Sequence, residues 1–226
     1  MLNTKDVKAG EGGLSKTLKP GNVKVKINSV VLEPNTFKPG SYHVVCNVET
    51  EPIEGFVGFA IDKNNPSLGN HAGQIGKVKA GQYSFADGAT KSGIPVYRDN
   101  DIMTHIKRIC LAVGTNWWDG TDGKYKTIEA LVEAFNNDKP FKDIYIETCL
   151  AGKKYKNDKG YDNYDLFFAK YSGGKSGFSS DPAKVITFNE KEHVIEKAPE
   201  NVASFDGNNA ANTGTGAGPV NNDFKL

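Results

Sequence analysis

Hydrophobic and polar residues alternate from the start of the readable pattern. Val23, Val25, Ile27 and Val31 are interleaved with Lys24, Lys26 and Asn28, the two-residue period of a half-buried strand. Glu33-Pro34-Asn35 and Lys38-Pro39-Gly40 bracket a turn, and residues 42–48, β-branched and alternating, predict a second strand. Residues 56–61 predict a third. A glycine-rich stretch over 66–93 follows, with short strand-like pieces at 74–78 and 83–85. Then the period changes. Ile102, Met103, Ile106, Ile109, Cys110 and Val113 recur at helical spacing, between the capping candidates Asp99-Asn100-Asp101 and Gly114. Ile128, Leu131, Val132 and Phe135 write a second helix that starts at Thr127 and is stopped by Asn136-Asn137 and Pro140. Strands return at 144–150 and 164–169, joined by a lysine-rich turn over 153–160, and a last short strand runs through 185–188.

Three strands, a helical insert, then a two-strand hairpin is the order of a mostly β, five-stranded Greek-key barrel of the OB type. The insert then falls between strands 3 and 4. A β-sandwich with an inserted helical pair predicts a similar string. Residues 21–190 form this single domain. Residues 1–20, rich in Lys and Gly, read as a flexible basic arm. Residues 191–226 read as a disordered tail: its last 27 positions hold six Asn, four Gly and four Ala, too little apolar surface to offset the entropy of ordering.

Charge sharpens this division. The net charge is only +1, yet residues 1–26 carry six Lys against Asp6 and Glu11, and residues 187–226 carry three Lys against six acids. A basic arm and an acidic end often accompany work on nucleic acid. No run of apolar residues is long enough to span a bilayer, and none follows the N-terminal lysines as a secretory signal would require. Cys46, Cys110 and Cys149 are odd in number and far apart, so no disulfide framework is expected, and a reducing cytoplasm is the natural location.

Catalytic patterns are missing. His43, His71, His105 and His193 belong to no metal motif, and His43 and Cys46, three apart on a strand, face opposite sides. The string from Ala169 to Ser176 imitates a phosphate-binding loop, but Gly177 to Pro182 follow it where a helix would have to begin. No enzyme activity and no cofactor or metal is expected. The informative segment is 151–171, AGKKYKNDKGYDNYDLFFAKY. Lys153, Lys154, Lys156, Lys159 and Lys170 are interleaved there with Tyr155, Tyr161 and Tyr164, the mixture that single-strand binding uses: cations track the phosphates and flat rings stack on unpaired bases. In an OB barrel this is the loop between strands 4 and 5, one of two that grip oligonucleotides. Trp117, beside Trp118 in a polar loop, is either a packing anchor or a further stacking platform. Phe59, with Lys24 and Lys26 on strand one, supplies a third candidate surface.

The sequences LAVGTNWWDG, TIEALVEAFN and ETCLAGKKYKNDKGYDNYDLFFAK, between residues 109 and 170, resemble the small single-stranded-DNA-binding replication proteins of tailed bacteriophages. The resemblance implies an OB fold, no enzymatic activity, and protection of unwound DNA in viral replication or recombination within the host cytoplasm. It also implies a tail whose terminal aromatic recruits replication proteins. Asp223-Phe224 is the candidate tip, although Lys225-Leu226 follow it. The expected partner is single-stranded DNA, with RNA not separable by sequence, and no membrane. Two other classes compete: a carbohydrate-binding or virion structural β-module using Trp117, Trp118 and the loop tyrosines, and an enzyme of nucleic-acid metabolism built on a carboxylate cluster.

Overall fold

The computed structural model describes residues 17–196 except 57, 82, 83 and 85. Most of the expected arm and tail, including Asp223 and Phe224, lies outside the described residues. Five strands close a barrel: β1 (Gly21–Pro34), β2 (Tyr42–Thr50), β3 (Ile75–Lys79), β4 (Tyr145–Lys156) and β5 (Asp162–Phe168). They pair in the order β1-β2-β3-β5-β4, and β4 returns to β1. Every pairing is antiparallel except β3 with β5. The barrel is consistent with an OB-like fold.

Two helices, α1 (Arg98–Val113) and α2 (Ile128–Asp138), lie between β3 and β4 in the chain. Gly114 ends α1 in the left-handed region at φ 72°, and the Thr127 hydroxyl starts α2 by accepting from the Ala130 amide. Ile102, Ile106 and Ile109 of α1 and Leu131 and Phe135 of α2 share one core with Val25, Ile27, Val44, Val78, Ile146 and Leu166 of the barrel. The Asn136 side chain reads as a helix stop in the sequence, but it sits inside α2. It bonds both backbone polar groups of Val30, its Oδ1 accepting from the amide at 2.8 Å and its Nδ2 donating to the carbonyl at 2.6 Å. It thus stands in for a strand where β1, past the irregularity at Asn28, has left β4 behind.

The third strand differs from expectation. The 56–61 segment contributes only a two-residue ladder, Phe59–Ala60 with Asn70–His71, outside the barrel. The barrel's third strand is the short alternating IGKVK that lies within the glycine-rich stretch. The 52–73 excursion is latched at Glu49, which is 6% exposed. Its carboxylate accepts from the Ala72 and Gly73 amides and meets His71 Nδ1 at 3.2 Å and Lys26 Nζ at 3.5 Å. The 185–188 strand is absent. Val185 and Ile186 are instead buried in a small side cluster, and a short β7 (Val194–Glu196), preceded by the one-turn α3 (Glu190–His193), adds to β4 in parallel at Gly152–Lys154. A two-residue β6 (Phe178–Ser179) also pairs with β4.

The domain reaches further in both directions than 21–190. Leu18 is 5% exposed and belongs to the core. β3 and β5 pair at only two positions, Val78↔Leu166 and Lys79↔Phe167, and then diverge. Leu18 fills the opening, its amide donating to the Ile75 carbonyl. Gly76 and Gly152 leave room for this segment: an added Cβ would come 2.9 Å from Leu18 Cδ1 and 2.8 Å from Pro20 Cγ.

Burial alone would raise the Glu49 pKa, but the His71 and Gly73 hydrogen bonds and the Lys26 charge outweigh it and hold the carboxyl below its ordinary 4.5. A lowered folded-state pKa contributes stability that is present above the unfolded value and lost as pH falls through the folded one. Glu49→Gln is expected to cost about 1–3 kcal/mol, to flatten the loss of thermal stability on acidification below pH 4.5, and to speed proteolysis within 52–73. Parallel melting curves and limited proteolysis check this.

Candidate nucleic-acid interface

The divergence of β3 from β5 opens a groove of about 730 Å³. Its floor is Leu18, Gly76, Tyr164 and Leu166. One wall is the β1–β2 loop and the strands beneath it, with Asn35, Phe37, Lys38, His43, Lys77 and Lys79; the other is the β4–β5 hairpin, with Lys153, Tyr155, Asn163 and Asp165. Four lysines and one carboxylate, Asp165, therefore line it. Alternation explains the placement: opposite residues of an antiparallel pair share a face, so Lys153 stands beside Asp165 and Tyr155 beside Asn163.

The lysines are held by labile partners. Lys79 Nζ is 2.7 Å from Asp165 and Lys77 Nζ 2.6 Å from Glu33. Such surface pairs contribute little net free energy, so a phosphate can take over either cation. Burial and the Lys79 charge lower the His43 pKa, which leaves that ring neutral at pH 7. Two aromatics rim the cavity. Phe37 is 88% exposed at the tip of its loop, and the Asn35 carboxamide oxygen accepts from its amide at 2.9 Å. The half-buried Tyr155 has its hydroxyl oxygen fixed by Asn163 Nδ2 at 2.8 Å.

Of the residues singled out in the sequence, Lys153, Tyr155 and Tyr164 line this groove. Lys159 and the 69%-exposed Tyr161 project from the hairpin tip. There the Asn157 carboxamide oxygen accepts from both the Lys159 and Tyr161 amides, and Gly160 turns at φ 77°. Lys154 and Lys156 belong to the opposite face of the hairpin, where both pair with Asp162 and Lys154 also reaches Glu196.

The other candidates are elsewhere. Lys24 and Lys26 stand on the outside of β1, paired with Glu51 and Glu49 and about 6 Å from the Tyr145 ring. Phe59 is in the 52–73 excursion, edge-on to Phe56 at 6.1 Å. Trp117 is a packing anchor. Its ring stacks on Tyr125, meets Phe135 edge-on at 4.9 Å, and donates from Nε1 to Asp138. Lys170 lines a separate cavity.

Phe37, Lys38, Lys77 and Lys79 were not singled out. The signals were present: an aromatic and a lysine inside a Pro-Gly turn, and an alternating IGKVK. The first reads as turn punctuation and the second as a weak strand until the barrel sets them opposite the hairpin.

The imitation phosphate loop closes as a tight turn, with Ser172 and Lys175 exchanging backbone bonds over Gly173 and Gly174, and the short strand β6, not a helix, comes next after Ser176. Among the described residues, no three His, Cys, Asp or Glu side chains come together as a metal ion would require, and no helix is long and apolar enough to cross a membrane. No family model matches the chain, and neither a curated protein nor a solved structure matches it.

Asn157→Ala removes an acceptor shared by two amides, so the hairpin tip should loosen by about 1–2 kcal/mol. Hydrogen exchange at the Lys159 and Tyr161 amides is expected to accelerate while exchange in α1 is unchanged.

Proposed function

We propose that this chain is a single-stranded-DNA-binding protein. It coats and protects unwound DNA with little sequence preference, in the manner of phage replication and recombination proteins, and carries out no catalysis. Its barrel is then an OB fold with α1 and α2 as the insert between strands 3 and 4. The observation that carries the reading is the groove between the β1–β2 loop and the β4–β5 hairpin. Those are the two loops with which OB folds grip oligonucleotides, and together with β3 they bring four lysines, Phe37 and Tyr155 to one opening.

The chemistry follows from that composition. Lysines neutralise phosphates and release counterions. The ring of Phe37, open on its loop, stacks on a base, and Tyr155 extends the platform across the cleft. Neither contact reads base identity, because every base has a π-face. The carbohydrate and virion-module alternative relied on Trp117 and Trp118, both half-buried against the core, and nothing in the groove favours it over the lysine-rich reading.

Titration of fluorescein-labelled oligo-dT against a duplex, at two salt concentrations, tests the proposal. Binding should favour the single strand and weaken linearly in log–log salt plots. Lys77→Ala and Lys79→Ala should each weaken binding and reduce the slope by about 0.7. Phe37→Ala should cost about 1–3 kcal/mol with the slope unchanged, whereas Lys156→Ala, on the far face of the hairpin, should change little. Salt-independent binding, or equal affinity for duplex, would overturn the reading.

A further inference from the structure

Along the same β3–β5 seam the groove is followed by a second cavity, of about 570 Å³. The groove's lining ends on Lys79 of β3 and Leu166 of β5; the second cavity begins on Ala80 and Phe168. One or two strand residues, roughly 3–7 Å, separate them. The cavity's walls are Tyr97, Asp101, His105 and Arg108 on and before α1, and Lys170 and Tyr171 beyond β5.

These side chains divide into two kinds. Tyr97 and Tyr171 are 58% and 68% exposed, open rings that the core does not use. His105 is 9% exposed and pressed against Gly81, where an added Cβ would come 2.5 Å from its Cε1. Its Nδ1 is buried without a hydrogen-bond partner among the described residues, and its Nε2 stands 4.0 Å from Asp101, beyond a direct bond. Burial, reinforced by the Arg108 charge, lowers its pKa against the pull of Asp101. The ring at neutral pH is therefore uncharged, with one donor and one acceptor nitrogen.

Open rings, two cations and a neutral imidazole match the parts of a nucleotide: rings stack on the base, Arg108 and Lys170 take the phosphate, and the imidazole and Asp101 hydrogen-bond the base or sugar. We infer that this cavity holds one nucleotide of a strand whose neighbours occupy the groove, so that the strand is anchored where the seam ends. The inference rests on the groove reading of the function.

Oligo-dT of graded length, from about 4 to about 16 nucleotides, is titrated against the full chain and its Tyr171→Ala variant, while the His105 ring is followed by NMR. The wild type should gain affinity in two steps as the strand first fills the groove and then reaches the cavity. The His105 signal should shift only in the second step. Tyr171→Ala should bind the shortest strands like wild type and lose roughly five- to 150-fold for the longest. Wild-type-like binding by Tyr171→Ala at every length overturns the inference and leaves the groove reading standing. So does a His105 signal that responds to free dTMP but not to long strands, which makes the cavity a free-nucleotide site. If no length binds the wild type at low salt, both readings fall.

Discussion

The shortness of the parallel pairing within the barrel governs this molecule. β3 and β5 hold each other at only two residue pairs and then part. A barrel closed tightly there would present a continuous outer face; the divergence makes a cleft. Leu18 keeps that cleft from opening into the core, and burying such a side chain contributes about 1.5–3 kcal/mol. The chain just before β1 therefore has a structural duty: it seals the floor on which the groove is built.

Electrostatic context separates lysines that merely occur from lysines that are available. The chain is nearly neutral, and its basic residues are widely paired. On the outside of β1, Lys26 serves a buried carboxylate, a partnership whose loss would strand that charge. Across the groove the partners Glu33 and Asp165 are 38% and 46% exposed, so releasing their lysines to a phosphate exposes nothing buried. Local basicity in the sequence does not distinguish these cases; the depth of the acidic partner does.

The sequence made the elements legible wherever one period ran long enough. Both helices stand where their apolar spacing put them, because Gly114 and Thr127 are local punctuation. The hairpin was equally readable, and Lys153 and Tyr155 came with it. The third barrel strand was not, since IGKVK is five residues long and is recognisable as barrel only through its partners on β2 and β5. The longer 56–61 run offered more local hydrophobicity but pairs only in a two-residue ladder with Asn70–His71, outside the barrel. The groove residues on the β1–β2 loop and β3 were hidden for the same reason. Phe37 and Lys77 are far apart in the chain, and only sheet pairing brings them to one opening. The strict lysine count of the hairpin misled in turn, because successive strand residues face opposite ways and half of them point from the groove.

Chemical-shift mapping of the isotope-labelled chain during titration with short oligo-dT addresses the central claim most directly. Perturbations confined to Phe37, Lys77, Lys79, Lys153 and Tyr155, with the signals of Lys24, Lys26 and Trp117 unmoved, are the predicted result. Shifts gathered on the outside of β1 or in the helical layer, with the groove silent, would contradict it.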